Sequence, residues 1–251
     1  SKYGSIKLGS GKKEHSNFAW GTMMFTAGLA ADILFYSLCE WMLYANEGRI
    51  SSLGDTTLWS ATYPLFHWGP IPWGFYVVLA SCFGFMLHVR KRTRAKYSEG
   101  LRVLLGSKVD GIWGKIVDLI AVFALIAGTA TTFSLATPLL SQTVAKLFGV
   151  SNNNILTIAI LIVTCIIYSA CAYLGIDGVS KLASCCTYLF FALLIYVFFG
   201  GGHGKFILEL GFSSLGNLVN NFFSLSTYID PTGQTTFAQD WTVFYWAYWM
   251  V

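Results

Sequence analysis

The 251 residues are 55% hydrophobic and 17% aromatic, and only 11% of them are charged. A soluble domain dresses its surface with roughly 25% charged residues, so the composition excludes a water-soluble monomer and makes lipid the solvent. The net charge of +4 sits in loops beside apolar runs, where it carries topology rather than a nucleic-acid signal.

The leading segment holds Lys2, Lys7, Lys12 and Lys13, and a first apolar run follows over residues 18–44. Further runs are expected as helices over 66–89, 116–148, 155–174 and 182–200. Each offers about the 20 residues that a helix needs to cross a ~30 Å hydrocarbon core. Barrel strands would be about 10 residues of alternating polarity. The expectation is therefore an all-α membrane protein, with residues 1–251 forming one transmembrane domain.

The 201–240 loop contains LGNLVNNFFSLSTYI, read as an interfacial helix over 215–229 with Leu218, Phe222 and Leu225 on one side. Asp230-Pro231 ends it. The last run, 241–251, would rise only about 16 Å at ~1.5 Å per residue. With no initiator Met or signal pattern at the start, the chain reads as an internal stretch of a longer membrane protein.

Basic residues set the orientation. Loop 90–115 holds Arg90, Lys91, Arg92, Arg94, Lys96, Arg102, Lys108 and Lys115, whereas loops 45–63 and 201–240 hold only Arg49 and Lys205. The positive-inside rule then makes residues 1–17 and 90–115 cytoplasmic, in a multi-pass protein of the plasma (inner) membrane. The basic loop is placed against anionic lipid.

Nothing in the sequence indicates an enzyme. The histidines at 15, 67, 88 and 203 share no span, and no H-E-x-x-H, G-x-S-x-G or P-loop pattern occurs. The six cysteines fall inside apolar runs without a C-x-x-C pair, so neither a disulfide framework nor a metal site is indicated. His67, beside Trp68, reads as an interface residue rather than a base.

Two aromatic clusters stand out. PLFHWGPIPWGFY places Trp68, Trp73 and Tyr76 at successive offsets, and WTVFYWAYW opens the chain's last run. At ~100° per residue of helix, Trp73 is turned about 140° and Tyr76 about 80° from Trp68. Such rings form either a membrane-interface belt or a cage for a quaternary ammonium group, which has no N–H to donate and is held by aromatic faces. Asp32 lies in mid-run within FTAGLAADILF. An ionisable residue at that depth is expensive and marks function by default.

SKYGSIKLG, FHWGPIPW, the span beginning IVDLIAVFALIAGT, and DWTVFYWAYW together resemble the betaine/choline/carnitine transporter family over essentially the whole chain. The resemblance implies a LeuT-type inverted-repeat fold: the first repeat plus the start of the second, from the family's third helix into its eighth. It assigns the substrate-binding aromatic box to Trp68, Trp73, Tyr76 and Trp249. Trp246 is a neighbouring aromatic, and Tyr248 stands where many members have Trp.

Sodium-driven relatives carry two threonines one turn apart where this chain has Leu125 and Thr129, which puts one of their two sodium sites in doubt. The other would use positions near Thr26 and Leu29. Ion-independent carnitine exchangers carry an arginine near Ser184–Tyr188, and none stands there, although SLATPL and DWTVFYWAYW read closest to those exchangers. Betaine-specific relatives have glycine, and choline carriers aspartate, at the position of Asp32.

The resemblance thus implies a secondary transporter of small quaternary ammonium compounds, choline first or glycine betaine, without a cofactor beyond a coupling Na+ or H+. A carnitine/γ-butyrobetaine exchanger is the alternative. A non-transporting membrane sensor or assembly protein is the rival from another class, disfavoured by Asp32 together with two aromatic clusters. Partners would be the small-molecule substrate, the bilayer and copies of the chain in a trimer, with no nucleic acid.

Overall fold

In the computed structural model the described residues are 15–250, with the side chains of 27–34 and 248–250 outside that description. The described residues are mostly helical, without strands. They fall into two compact units, one holding residues 41–128 and 211 onward, the other 129–210 with the described residues up to Glu40.

Helix α1 (Asn17–Ala45) opens on Ser16, whose Oγ accepts from Ala19 N at 3.0 Å. The short α2 (Gly48–Ser52) leads to α3 (Thr56–His67), capped by Asp55, which accepts from Thr57 N and Leu58 N at 2.9 and 3.2 Å. A short polar side chain at that place satisfies N–H groups that the first turn leaves orphaned. Helix α4 (Pro70–Gly84) follows after only Trp68 and Gly69, then runs into a π-helical turn over Phe85–Val89.

The interruption at 68–69 is written into the residues. Pro70 has no N–H to continue α3's hydrogen bonding, yet its fixed φ suits the first position of a new helix. Gly69 is extended, at φ −86° and ψ −150°, and a Cβ there would lie 2.4 Å from the Leu65 carbonyl oxygen. Close approach, not backbone strain, demands glycine.

The basic loop is folded rather than trailing. It contains α5 (Tyr97–Gly100), α6 (Arg102–Leu105) and a 3-10 turn over Gly106–Asp110. Arg102 clamps two carboxylates: Nε and Nη2 meet Glu99 at 2.7 and 2.8 Å, while Nη1 and Nη2 meet Asp110 at 2.8 and 2.7 Å. Bidentate pairing of this kind is geometrically specific. Arg92, Arg94 and Lys96 pair with Glu99, Asp110 and Asp118 at 3.4–3.6 Å. Ser98 donates its N–H and hydroxyl to Asp118 at 3.0 and 2.9 Å, and Tyr97 meets Phe83 edge-on with ring centroids 5.2 Å apart. Four of the loop's cations thus face internal carboxylates.

Helix α7 (Ile112–Phe148) ends at Gly149, whose φ of +66° is the left-handed stop favoured by glycine. Asn153 caps α8 (Asn154–Tyr173) by accepting from Leu156 N at 2.9 Å. Helix α9 (Gly175–Ile195) continues as a π turn over Tyr196–Gly200. In the second unit α9 lies beside α1: Phe18 stacks on Tyr188 at 5.1 Å, Phe25 meets Phe190 at 5.3 Å, and the Thr22 and Ser184 hydroxyls are 3.3 Å apart.

Helix α10 (Gly204–Ser226) is longer than the expected 215–229 and ends earlier. Lys205 pairs with Glu209 one turn on, at 3.6 Å, supporting the extra N-terminal turns. Leu218 and Leu225 are buried and Phe222 packs beside them, against Phe66 at 6.1 Å. A π turn over Ala238–Val243 then leads into α11 (Phe244–Met250).

Four helical stretches among the described residues are long and apolar enough to cross a membrane: Thr56–Val89, Ile112–Phe148, Asn154–Tyr173 and Gly175–Gly200. Their apolar side chains are largely exposed, Ile155 by 78% and Ile166 by 62%. Apolar surface on that scale is an interaction surface, and lipid is the solvent that suits it. The six cysteines are all free.

Candidate functional site

Among the described residues a buried aromatic cluster lies where the break after α3 meets α11. Tyr44, Ile50, Tyr63, Phe66, Leu218, Leu225 and Phe237 form its buried centre, with Trp59, Trp241 and Trp246 packed against them. The sequence folds this way because α3 presents Tyr63, Phe66 and His67 on consecutive turns of one side, while the π turn before α11 brings Trp241, Thr242 and Tyr245 opposite. Asn217 of α10 donates to the Thr62 hydroxyl at 3.1 Å, and Trp241 Nε1 donates to Glu47 at 2.8 Å.

His67 sits at the middle of it. The expectation of an interface residue is corrected: the side chain is fully buried, with Nδ1 in a short hydrogen bond with the Tyr44 hydroxyl and Nε2 2.8 Å from Thr242 Oγ1. Its ring stacks on Tyr245, with centroids 5.3 Å apart and planes 17° off parallel. Burial is tolerable because both ring nitrogens are satisfied.

Trp68 caps α3, is half-buried, and meets Tyr245 edge-on at 5.4 Å. Trp73 and Tyr76 lie one turn apart on α4 with centroids 6.2 Å apart, and are 39% and 42% exposed. The turn angles expected for these three rings assume one unbroken helix, and the 68–69 break removes that assumption. Trp73 and Tyr76 are thus brought together, and Trp68 is brought to the last helix.

Trp246 packs on Phe66 at 5.7 Å, and its buried Nε1 has no hydrogen-bond partner among the described residues. A buried indole N–H usually finds an acceptor. Asp32, Leu29, Tyr248 and Trp249 have side chains outside the described residues.

Of the residues considered for an ion, Thr26 lies on α1 and Thr129 on α7. Thr26 Oγ1 donates to the Thr22 carbonyl at 2.8 Å, which leaves its oxygen lone pairs open. Thr129 and Leu125 are both exposed on α7, and Leu125 supplies no oxygen. The stretch Ser184–Tyr188 faces α1 through Ser184 and Tyr188 rather than presenting a cation.

Sequence reasoning passed over Tyr44, Thr242 and Tyr245, and misread His67. A buried imidazole needs polar partners, but these come from 23 and 175 residues away, beyond any local pattern.

Comparison with known proteins adds two findings. The family described as BCCT, betaine/carnitine/choline family transporter, matches residues 1–251. A carnitine transporter of Acinetobacter baumannii is 27% identical over 256 residues, covering 100% of this chain and 46% of that protein. The chain thus spans about half the length of the curated relative it matches.

Proposed function

The chain belongs to the betaine/carnitine/choline transporter family, and from that membership we propose that it carries small quaternary ammonium compounds by alternating access. The family is one of transporters, not enzymes, and the four long apolar helices make this a multi-pass membrane protein. The observation that carries the reading is the match over residues 1–251. The aromatic groups lend it support: Trp73 with Tyr76 on α4, and Trp68 against Tyr245.

In this reading Trp68, Trp73, Tyr76 and Trp249 wall a cation site, with Trp246 and Tyr248 beside it. Their ring faces hold a trimethylammonium group that offers no hydrogen-bond donor. The fold is a LeuT-type inverted repeat, and the site is reached from alternate sides of the inner membrane as one repeat rocks against the other. A single Na+ near Thr26 and Leu29, or a proton on Asp32, is the coupling ion, and the carrier assembles as a trimer.

Choline is the first substrate. It is a bare cation, which an ionised Asp32 neutralises where the local dielectric is low, whereas betaine and carnitine bring a carboxylate of their own. Carnitine is the second. The relative's description favours it, and the Trp246 N–H, which has no partner among the described residues, is a donor for a carboxylate.

The test is uptake of labelled choline, glycine betaine and carnitine into liposomes holding the protein expressed from its complete reading frame. Asp32→Gly is expected to depress choline uptake more than betaine uptake and to abolish any proton dependence. Equal loss for both substrates removes Asp32 from the site. No uptake of any of the three, under any gradient, sinks the carrier reading itself.

A further inference from the structure

The fully buried His67, at the centre of the aromatic packing, is a titratable group that the substrate reading leaves without a task. We propose that His67 is a positioning residue: by bonding Tyr44 and Thr242 at once, it fixes Tyr245 and through it the ring of Trp68, and so sets the spacing of the cation site. The proposal rests on the reading of Trp68 as a wall of that site.

The geometry gives each step a cause. Trp68 caps α3, and only Gly69 separates it from the start of α4 at Pro70. Its ring meets Tyr245 edge-on at 5.4 Å. Tyr245, itself 3% exposed, lies nearly parallel to the His67 ring at 5.3 Å. The imidazole cannot spin in its cavity, because hydrogen bonds at both nitrogens define its plane.

A neutral imidazole has one N–H and one lone pair, and a hydroxyl serves as donor or acceptor. Tyr44 and Thr242 therefore satisfy either tautomer. The end of α1, the end of α3 and the turn before α11 are pinned at a single ring. A phenylalanine would present a ring to the same neighbours, yet fix no rotation. The polar contacts, rather than the bulk, are what set the register of Trp68.

His67→Phe, Tyr44→Phe and Thr242→Val each remove hydrogen bonds while keeping the bulk. Uptake should show KM raised roughly tenfold for His67→Phe, the size of one or two buried hydrogen bonds, with Vmax within about twofold. His67→Gln keeps an amide at the Nε2 position and should recover part of the KM, and adding Thr242→Val should erase that recovery. A readout free of substrate accompanies it: with 5-fluorotryptophan incorporated, the fluorine resonance lost in Trp68→Phe is that of Trp68, and it should move or split in His67→Phe.

An unchanged KM with an unmoved Trp68 resonance overturns the proposal. So does a fall in Vmax and folded yield at constant KM, the mark of a merely structural histidine. If the wild type takes up none of the three compounds but the Trp68 resonance still moves with His67→Phe, the transport reading falls and the positioning role stands.

Discussion

Replacing Gly69 by alanine tests whether the break between α3 and α4 is set by close approach. The added Cβ would sit 2.4 Å from the Leu65 carbonyl oxygen and 3.2 Å from that of Phe66. Real Cβ contacts essentially never fall under 3.0 Å, so the backbone must yield by about 0.6 Å or more. The obstructing atoms belong to α3 itself, and no flexible side chain can swing aside. Overpacking of this kind costs about 1–3 kcal/mol, and for a domain of this size each kcal/mol lowers Tm by roughly 2–4 °C.

The displacement falls on Trp68, so substrate KM should rise along with the drop in Tm. Gly74→Ala is the control. Gly74 lies inside α4 with nothing within 4 Å of an added Cβ, and alanine is the better helix residue by about 1 kcal/mol. Thermal unfolding in detergent and uptake kinetics on both variants read the outcome. A Gly69→Ala protein with wild-type Tm and KM refutes the reasoning, as does a Gly74→Ala protein equally damaged.

Trp73→Leu should weaken trimethylammonium binding by up to roughly thirtyfold, the worth of one cation–π contact, with insertion intact. Wild-type affinity by equilibrium binding would remove this ring from the site. Sodium dependence of uptake should show a Hill coefficient near one, because Leu125 offers no oxygen to a hard cation. A value near two would contradict it.

In the basic loop, hydrogen bonding to the Arg102 guanidinium is the main cause holding the Glu99 and Asp110 carboxyls below their ordinary values. A depressed carboxyl stabilises the fold above its unfolded pKa, about 4, and that stability is lost as pH falls through the lower folded value. Trypsin cleavage of the loop should thus be slow at neutral pH, and its amides should stay protected from hydrogen exchange down to about pH 4. Loosening in stronger acid is to be followed by acid-pulse hydrogen exchange. Arg102→Gln should speed cleavage at neutral pH and flatten the acid response; a loop that loosens as pH rises would contradict this.

How far the sequence revealed this molecule depended on the range of the interaction. Apolar run length is a local sum: the runs 116–148 and 155–174 match α7 and α8 to within four residues. The run 182–200, by contrast, begins seven residues inside α9, and 66–89 straddles the break between α3 and α4. The Gly69-Pro70 punctuation was visible too, yet Trp68, Trp73 and Tyr76 were projected onto one ideal helix, and the break invalidated that geometry. Helix α10 began eleven residues before the expected 215 because KFILEL is helix-forming with an i,i+4 ion pair, a signal weaker than the apolar stripe at Leu218, Phe222 and Leu225.

His67 could not be read at all from its neighbours. Its environment is assembled by Tyr44, Thr242 and Tyr245, and only the tertiary fold decides whether a histidine beside a tryptophan faces water or a bed of rings. The Arg102 clamp was hidden for a related reason. Counting positive charge gives orientation, but says nothing of which carboxylates fold back to meet it.

That clamp has a kinematic meaning. Between Val89, where one candidate span ends, and Ile112, where the next helix begins, Arg102 ties Glu99 to Asp110, Ser98 bonds Asp118 inside α7, and Tyr97 rests on Phe83 inside α4. A connection cross-braced at both ends has little slack. In the alternating-access reading, tilting of α4 is therefore expected to carry the first turns of α7 with it, and the pivot to lie outside this linker.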